Sequence, residues 1–129
     1  MPYSYLPLLD YISYFSNEEN EFYKVFPWKK ENNVIKVGGF LYSTTTKEFM
    51  KKVTETGFIF IGDYKDWTEG ISYDIDTIKN IIALSDIERL RKILTYYIRH
   101  ERFHDGIFAS AIKDGIILNI LMRLKDILT

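Results

Sequence analysis

With 129 residues, 47% hydrophobic and 27% charged, and a formal net charge of −1, the chain has the dimensions of one globular domain rather than a disordered segment or two cores. It contains no cysteine, which excludes a disulfide framework, a cysteine nucleophile, a thiolate zinc site and an iron–sulfur cluster. The near-neutral charge gives no net pull toward nucleic acid or anionic membranes, and no apolar run approaches the roughly 20 residues that cross a bilayer.

Tyr5, Leu8, Leu9, Ile12 and Phe15 recur at helical spacing and predict an amphipathic helix over Leu6 to Phe15. Pro7 and Asp10 interrupt that apolar stretch and no basic region precedes it, so it reads as part of the fold rather than a signal peptide, and a cytoplasmic setting is expected. Phe22 to Trp28 is apolar and aromatic without a clear period; Glu31 to Asn33 reads as a turn and Val34 to Val37 as a short strand. Gly38-Gly39 is expected to break the chain. Thr45 and Glu48 have capping-box spacing for a helix that carries Phe49, Met50 and Val53 and ends near Gly57.

Phe58 to Ile61, bounded by Gly57 and Gly62, suits a short buried extended segment, with Trp67 in a polar turn beyond it. Asp74 or Asp76 caps a short helix ending at Ala83. Ser85 and Glu88 form a second capping box that opens a long helix with Ile87, Leu90, Ile93, Leu94, Tyr97 and Ile98 on one face. Gly106 and Gly115 delimit two further helices, Ile107 to Lys113 and Ile116 to Leu128. The expected fold is mostly α: a compact helical single domain over 1–129 with at most a small β element, and a three-helix C-terminal unit over 85–128.

The run from Arg99 to Gly106 concentrates the available chemistry. His100-Glu101-Arg102-Phe103-His104 matches H-E-x-x-H, in which two histidines one turn apart hold zinc and the glutamate acts as base. Arg99, Arg102 and Asp105 crowd the pair, no Glu or His follows to complete a ligand set, and Gly106 is placed to end the helix. No metal or other cofactor is therefore expected, with His100 and His104 the only candidates for one. Helical rotation places Glu101 near the middle of the Ile87–Leu90–Leu94–Ile98 face, where a buried carboxylate must be paired. Arg123, Arg102 or the first amides after Gly106 are the partners in reach, which makes Glu101 a structural clamp between the C-terminal helices. Arg99 and Arg102, near Phe103 and the His104-Asp105 pair, could grip a phosphate or carboxylate, with Trp67 as a stacking wall.

Ser85-Asp86-Ile87-Glu88 with Leu90, Leu94-Thr95, Arg99, Glu101-Arg102-Phe103, Gly106, Ala109, Gly115-Ile116, Leu121 and Arg123-Leu124 resembles a bacterial domain-of-unknown-function family, number 6508. Tyr42, Phe49, Gly57-Phe58 and Trp67 extend the resemblance more loosely. The resemblance makes Glu101, Arg102, Phe103 and Gly106 the core of the pattern, with Gly115 and Arg123 beside them, and implies neither an activity nor histidine at positions 100 and 104. The expected function is a non-catalytic binding or protein-interaction module of bacterial or phage origin. Its partner is a protein or small molecule, or a second copy in a homo-oligomer, and neither membrane nor nucleic acid is expected. The competing expectation is an enzyme or binder for a phosphate-bearing small molecule, using Arg99, Arg102 and His104.

Overall fold

In the computed structural model, which describes residues 2–27, 29–36, 38–70 and 74–129, the C-terminal helix is the element on which the others are built. Ile116–Leu128 (α6) buries Ile116, Ile117, Ile120, Leu121 and Leu124, a three-and-four spacing that makes one continuous stripe. Against it pack Ile75–Ala83 (α3), Ile87–His100 (α4) and Ile107–Lys113 (α5). Two N-terminal segments join them, a 3-10 helix over Pro2–Tyr11 and the short helix Ile12–Ser16 (α1). Thr44–Glu55 (α2) closes the other side through Phe49 and Val53, and one hydrophobic cluster joins Leu8 and Phe15 to Phe58, Leu94 and Leu124. Each fully buried Leu or Ile contributes about 1.5–3 kcal/mol. The fold is thus mostly helical with a small β element, and α4, α5 and α6 touch one another pairwise. No helix among the described residues is long and apolar enough to cross a membrane.

Three local expectations are corrected. The N-terminal helix is 3-10 over most of its length and becomes α-helical only at Ile12, because Pro7 lies inside it and has no N–H for an i→i−4 bond. The cap of α2 is Ser43 rather than Thr45: the Ser43 hydroxyl accepts from the Thr46 amide at 3.1 Å. The cap of α4 is Asp86 rather than Ser85, its carboxylate accepting from Arg89 N at 2.8 Å. Ser85 is buried instead and donates to the carbonyl of Ile81 at 2.6 Å. Of the two candidates for α3, Asp74 is the cap, bonded to both the amide and the hydroxyl of Thr77.

Four strands account for the aromatic stretch that periodicity leaves open. Tyr23–Phe26 (β1) pairs antiparallel with Gly39–Tyr42 (β4), and Lys29–Glu31 (β2) with Val34–Lys36 (β3). Trp28 and Val37, at the ends of the two expected segments, lie outside the described residues. The two ladders share one register: three residues beyond Phe26↔Gly39 on each strand lies Lys29↔Lys36. The inner ladder is therefore nested within the outer one in the same register, β1 and β4 forming the base and β2 and β3 the tip of a hairpin over 23–42. Its turn is Asn32-Asn33, both with positive φ (48° and 64°), as a two-residue type I′ turn requires and as Asn tolerates. Gly39 belongs to the strand and does not break the chain.

The extended segment after Gly57 is buried at Phe58 and Ile59 but exposed at Ile61, and it joins no strand ladder. Side chains of α4 satisfy its backbone. Arg91 donates through Nε to the carbonyl of Phe58 (3.1 Å) and through Nη2 to those of Gly57 (3.2 Å) and Ile59 (3.1 Å). The fully buried Thr95 accepts from the Phe60 amide at 2.9 Å. An unpaired buried amide costs about 1–3 kcal/mol. The near-isosteric Thr95→Val substitution is therefore expected to lower unfolding free energy by about that amount in urea titration, whereas Thr95→Ser, which keeps the acceptor, is expected to lose less.

Candidate functional site

The hairpin is fastened to the helical body at the junction of α4 and α5. Helix α5 begins at Gly106, and its first amides point away from any intrahelical acceptor. Side chains from elsewhere take them. The Glu101 carboxylate accepts from Gly106 N at 3.2 and 2.8 Å and from Phe108 N at 3.1 Å. Ala109 N donates to the Tyr42 hydroxyl at 3.0 Å, and that hydroxyl in turn donates to Glu101 Oε1. Ile107 N is bonded to the His104 carbonyl, and the intrahelical ladder starts at Ser110. The acid also lies at the positive end of the α5 dipole. Burial, and after it the hydrogen bond and charge of Glu101, push the Tyr42 phenol far above its usual range, so it stays protonated as the donor the network needs.

Glycine at 106 is a packing requirement as well as a conformational one. Its φ is +90°, and a Cβ there would lie 2.3 Å from Cε2 of Phe40, the residue two before Tyr42 on β4. At Gly115 (φ +80°) a Cβ would meet only the flexible end of Lys79, at 3.3 Å. On the other flank of the hairpin, Asp105 Oδ2 comes within 3.3 Å of a Cβ built on Gly39. The loop 101–106 thus meets β4 at Tyr42 and Phe40, two residues apart on one face, and at the adjacent Gly39.

The remaining expected site residues are not brought together. Glu101 is the C-cap of α4 rather than a residue within it, and of the partners in reach the α5 amides and Tyr42 hold it. Arg123 instead donates to the Ser85 carbonyl at 3.0 Å, tying α6 to the start of α4. Arg99, Arg102 and His104 are exposed. Phe103 is 82% exposed, its ring edge-on to His100. Trp67 is only 7% exposed, stands edge-on to Tyr96, and lines a separate recess of 180 Å³ with Asp66, Asp86, Arg89 and Lys92. Asp105 lines a different cavity with Phe26 and Phe40. A stacking wall at Trp67 facing the two arginines is therefore not formed.

The H-E-x-x-H spelling does not become one helical face, because the helix ends at His100 and residues 101–103 form a turn. Glu101 is fully engaged by its three donors, and the described residues contain no group of three or more His, Asp or Glu able to hold a metal. His100 stacks on Tyr96 with ring centroids 4.1 Å apart, and its buried Nε2 has no partner among the described residues. Burial, with Lys65 and His104 adding positive charge, lowers its pKa.

Four of the exposed large apolar side chains lie on the hairpin. Val25 (58%), Phe26 (50%), Val34 (59%) and Leu41 (48%) all open to solvent, whereas Tyr23, Phe40 and Tyr42 are partly buried in ring contacts with one another and with Phe108. A cavity of 480 Å³ opens along the outer hairpin between Val25, Phe26, Gly39, Phe40 and Asp105. A second, also 480 Å³, lies at the hairpin's base, floored by Phe15, Phe22 and Leu118 and edged by Glu18 and Glu21. Sequence reasoning found the turn over Glu31 to Asn33 and the strand after it, but left the outer strands of this arm unassigned because their signals are short and interrupted by Pro27 and Gly38-Gly39.

Comparison with known proteins places the chain in one family. The model described as a family of unknown function (DUF6508) matches residues 3–129, and the chain belongs to that family. No curated protein and no solved structure matches it.

Two measurements check this arrangement. Gly106→Ala combines left-handed strain with the Phe40 clash and is expected to cost about 3 kcal/mol or more in chemical denaturation, against about 1–2 kcal/mol for Gly115→Ala; equal costs contradict the packing role of Gly106. For His100, the unfolded chain takes up the proton first as pH falls through about 6.5. The stability due to the neutral imidazole is therefore complete above that pH and is lost as pH falls toward the lower folded-state value. The melting temperature is expected to fall on acidification, and to fall less steeply in His100→Phe.

Proposed function

We propose that this member of the DUF6508 family is a non-catalytic protein-interaction module whose recognition element is the hairpin 23–42. The observation that carries the reading is the exposure of four apolar residues, Val25, Phe26, Val34 and Leu41, on one arm fastened at its base to the helical body. Isolated exposed apolar residues are ordinary, but Phe26 and Leu41 on one face of a two-stranded ribbon, with Val25 on the other and open edges, invite either edge pairing or face packing by another chain. The single hydrophobic cluster supports reading residues 1–129 as one domain that carries the arm. The acid most conspicuous in sequence, Glu101, is committed to holding that arm, which favours binding over catalysis.

The reading is tested by placing a photo-activated cross-linking amino acid at Phe26 and, separately, at Leu84, an exposed apolar residue of the helical body. Irradiation in the producing cell is expected to yield a discrete protein adduct from position 26 and none from position 84. An arm that yields no adduct from position 26, or from Val25 or Leu41 in turn, removes the proposal.

A further inference from the structure

Resting on that reading, we infer that the partner of the arm is a second copy of this chain, in a two-fold dimer in which each arm tip seats at the base of the other arm. The charge distribution points there. Residues 23–42 carry four lysines (Lys24, Lys29, Lys30 and Lys36) and one acid, Glu31, whereas the other 109 residues carry thirteen Lys and Arg against seventeen Asp and Glu. A cationic arm on an anionic body is complementary to another copy of itself. The same anionic body repels a phosphate backbone, so nucleic acid is the poorer match.

The groove at the arm's base has the matching chemistry. Its floor is apolar (Phe15, Phe22 and Leu118) and its rim carries Glu18 and Glu21, with Lys113 as the one cation lining it. Glu21 has an ion pair with Lys24 at 3.7 Å, but both side chains are well over half exposed, and such pairs are weak. The arm tip offers the converse charge: the exposed β2 lysines Lys29 and Lys30, next to Glu31, whose strand partner is the exposed Val34.

Geometry closes the arrangement. Two such arms laid antiparallel across a two-fold axis put each tip beside the other's base, where Glu18 and Glu21 sit. Phe26, near the middle of the arm, then falls at the axis and meets its own counterpart, as a self-complementary two-fold contact requires. Phe26 and Leu41, on one face of the ribbon, are covered in one step.

Sedimentation of the purified full chain tests this. The wild type is expected to dimerise reversibly, with the dissociation constant rising roughly tenfold from low to high salt. K29E/K30E and E18K/E21K are each expected to be monomeric, with melting temperatures near wild type because all four side chains are exposed. A one-to-one mixture of the two is expected to recover a heterodimer, since each reversed tip then faces a reversed rim. Lys125→Glu, a charge change on α6 away from the arm, is expected to dimerise as the wild type does. A wild type that stays monomeric, a dimer insensitive to K29E/K30E, or a mixture that does not recover association overturns the self-partner. If the monomer instead binds duplex DNA through the same lysines, the partner is nucleic acid and the inference is wrong. If the monomer persists while position 26 cross-links in the cell to a protein of different mass, the self-partner fails and the interaction reading stands.

Discussion

The carboxylate of Glu101 collects three donors from two separate places: the amides of Gly106 and Phe108 at the start of α5, and the hydroxyl of Tyr42 on β4. A short helix such as α5, seven residues long, has little intrinsic stability and depends on what holds its ends. Here one anion holds its N-terminus, and through Tyr42 also holds a hairpin 59 residues away in sequence. With Gly106 turned to φ +90° beneath Phe40, the loop has no room to relax independently of the hairpin. Helix start, loop and arm base are therefore one mechanical unit, and the position of the arm is set by the chemistry of a helix terminus.

The same strategy of side chains standing in for backbone recurs in the middle of α4. Arg91 and Thr95 supply the hydrogen bonds that a neighbouring strand would give to residues 57–60. Arg91 also lies over the Phe60 ring, 5.5 Å from its centroid. Helix α4 thus positions the segment after α2 with its middle and the hairpin with its C-cap. One helix orders both irregular regions of the protein, which explains why its residues contribute so much of the recognisable pattern.

The helices were legible because their apolar residues repeat at three and four and because Gly106 and Gly115 mark boundaries that the backbone needs. Their caps were legible only to within a residue or two: Ser43 and Thr45, or Ser85 and Asp86, are chemically equivalent candidates, and the choice is made by tertiary partners such as the Ile81 carbonyl that claims Ser85. Glu101 announced itself as a carboxylate on an apolar face that must find donors. Tyr42 did not, because nothing local distinguishes a tyrosine that bridges to a distant helix from one that merely packs. The Arg99–His104 cluster misled for the opposite reason: adjacent polar residues look like a site in one dimension, whereas in the fold Arg99, Arg102 and His104 are exposed and Glu101 turns to the α5 amides.

The helix that every other helical layer leans on is also the last of these elements to be made. Until Ile116–Leu128 leaves the ribosome, the core-facing side chains of α1, α3, α4 and α5 lack the surface they share. Vectorial synthesis therefore offers this chain little opportunity to fold in stages from its N-terminus. The apolar faces of those helices stay without their shared surface until α6 is made.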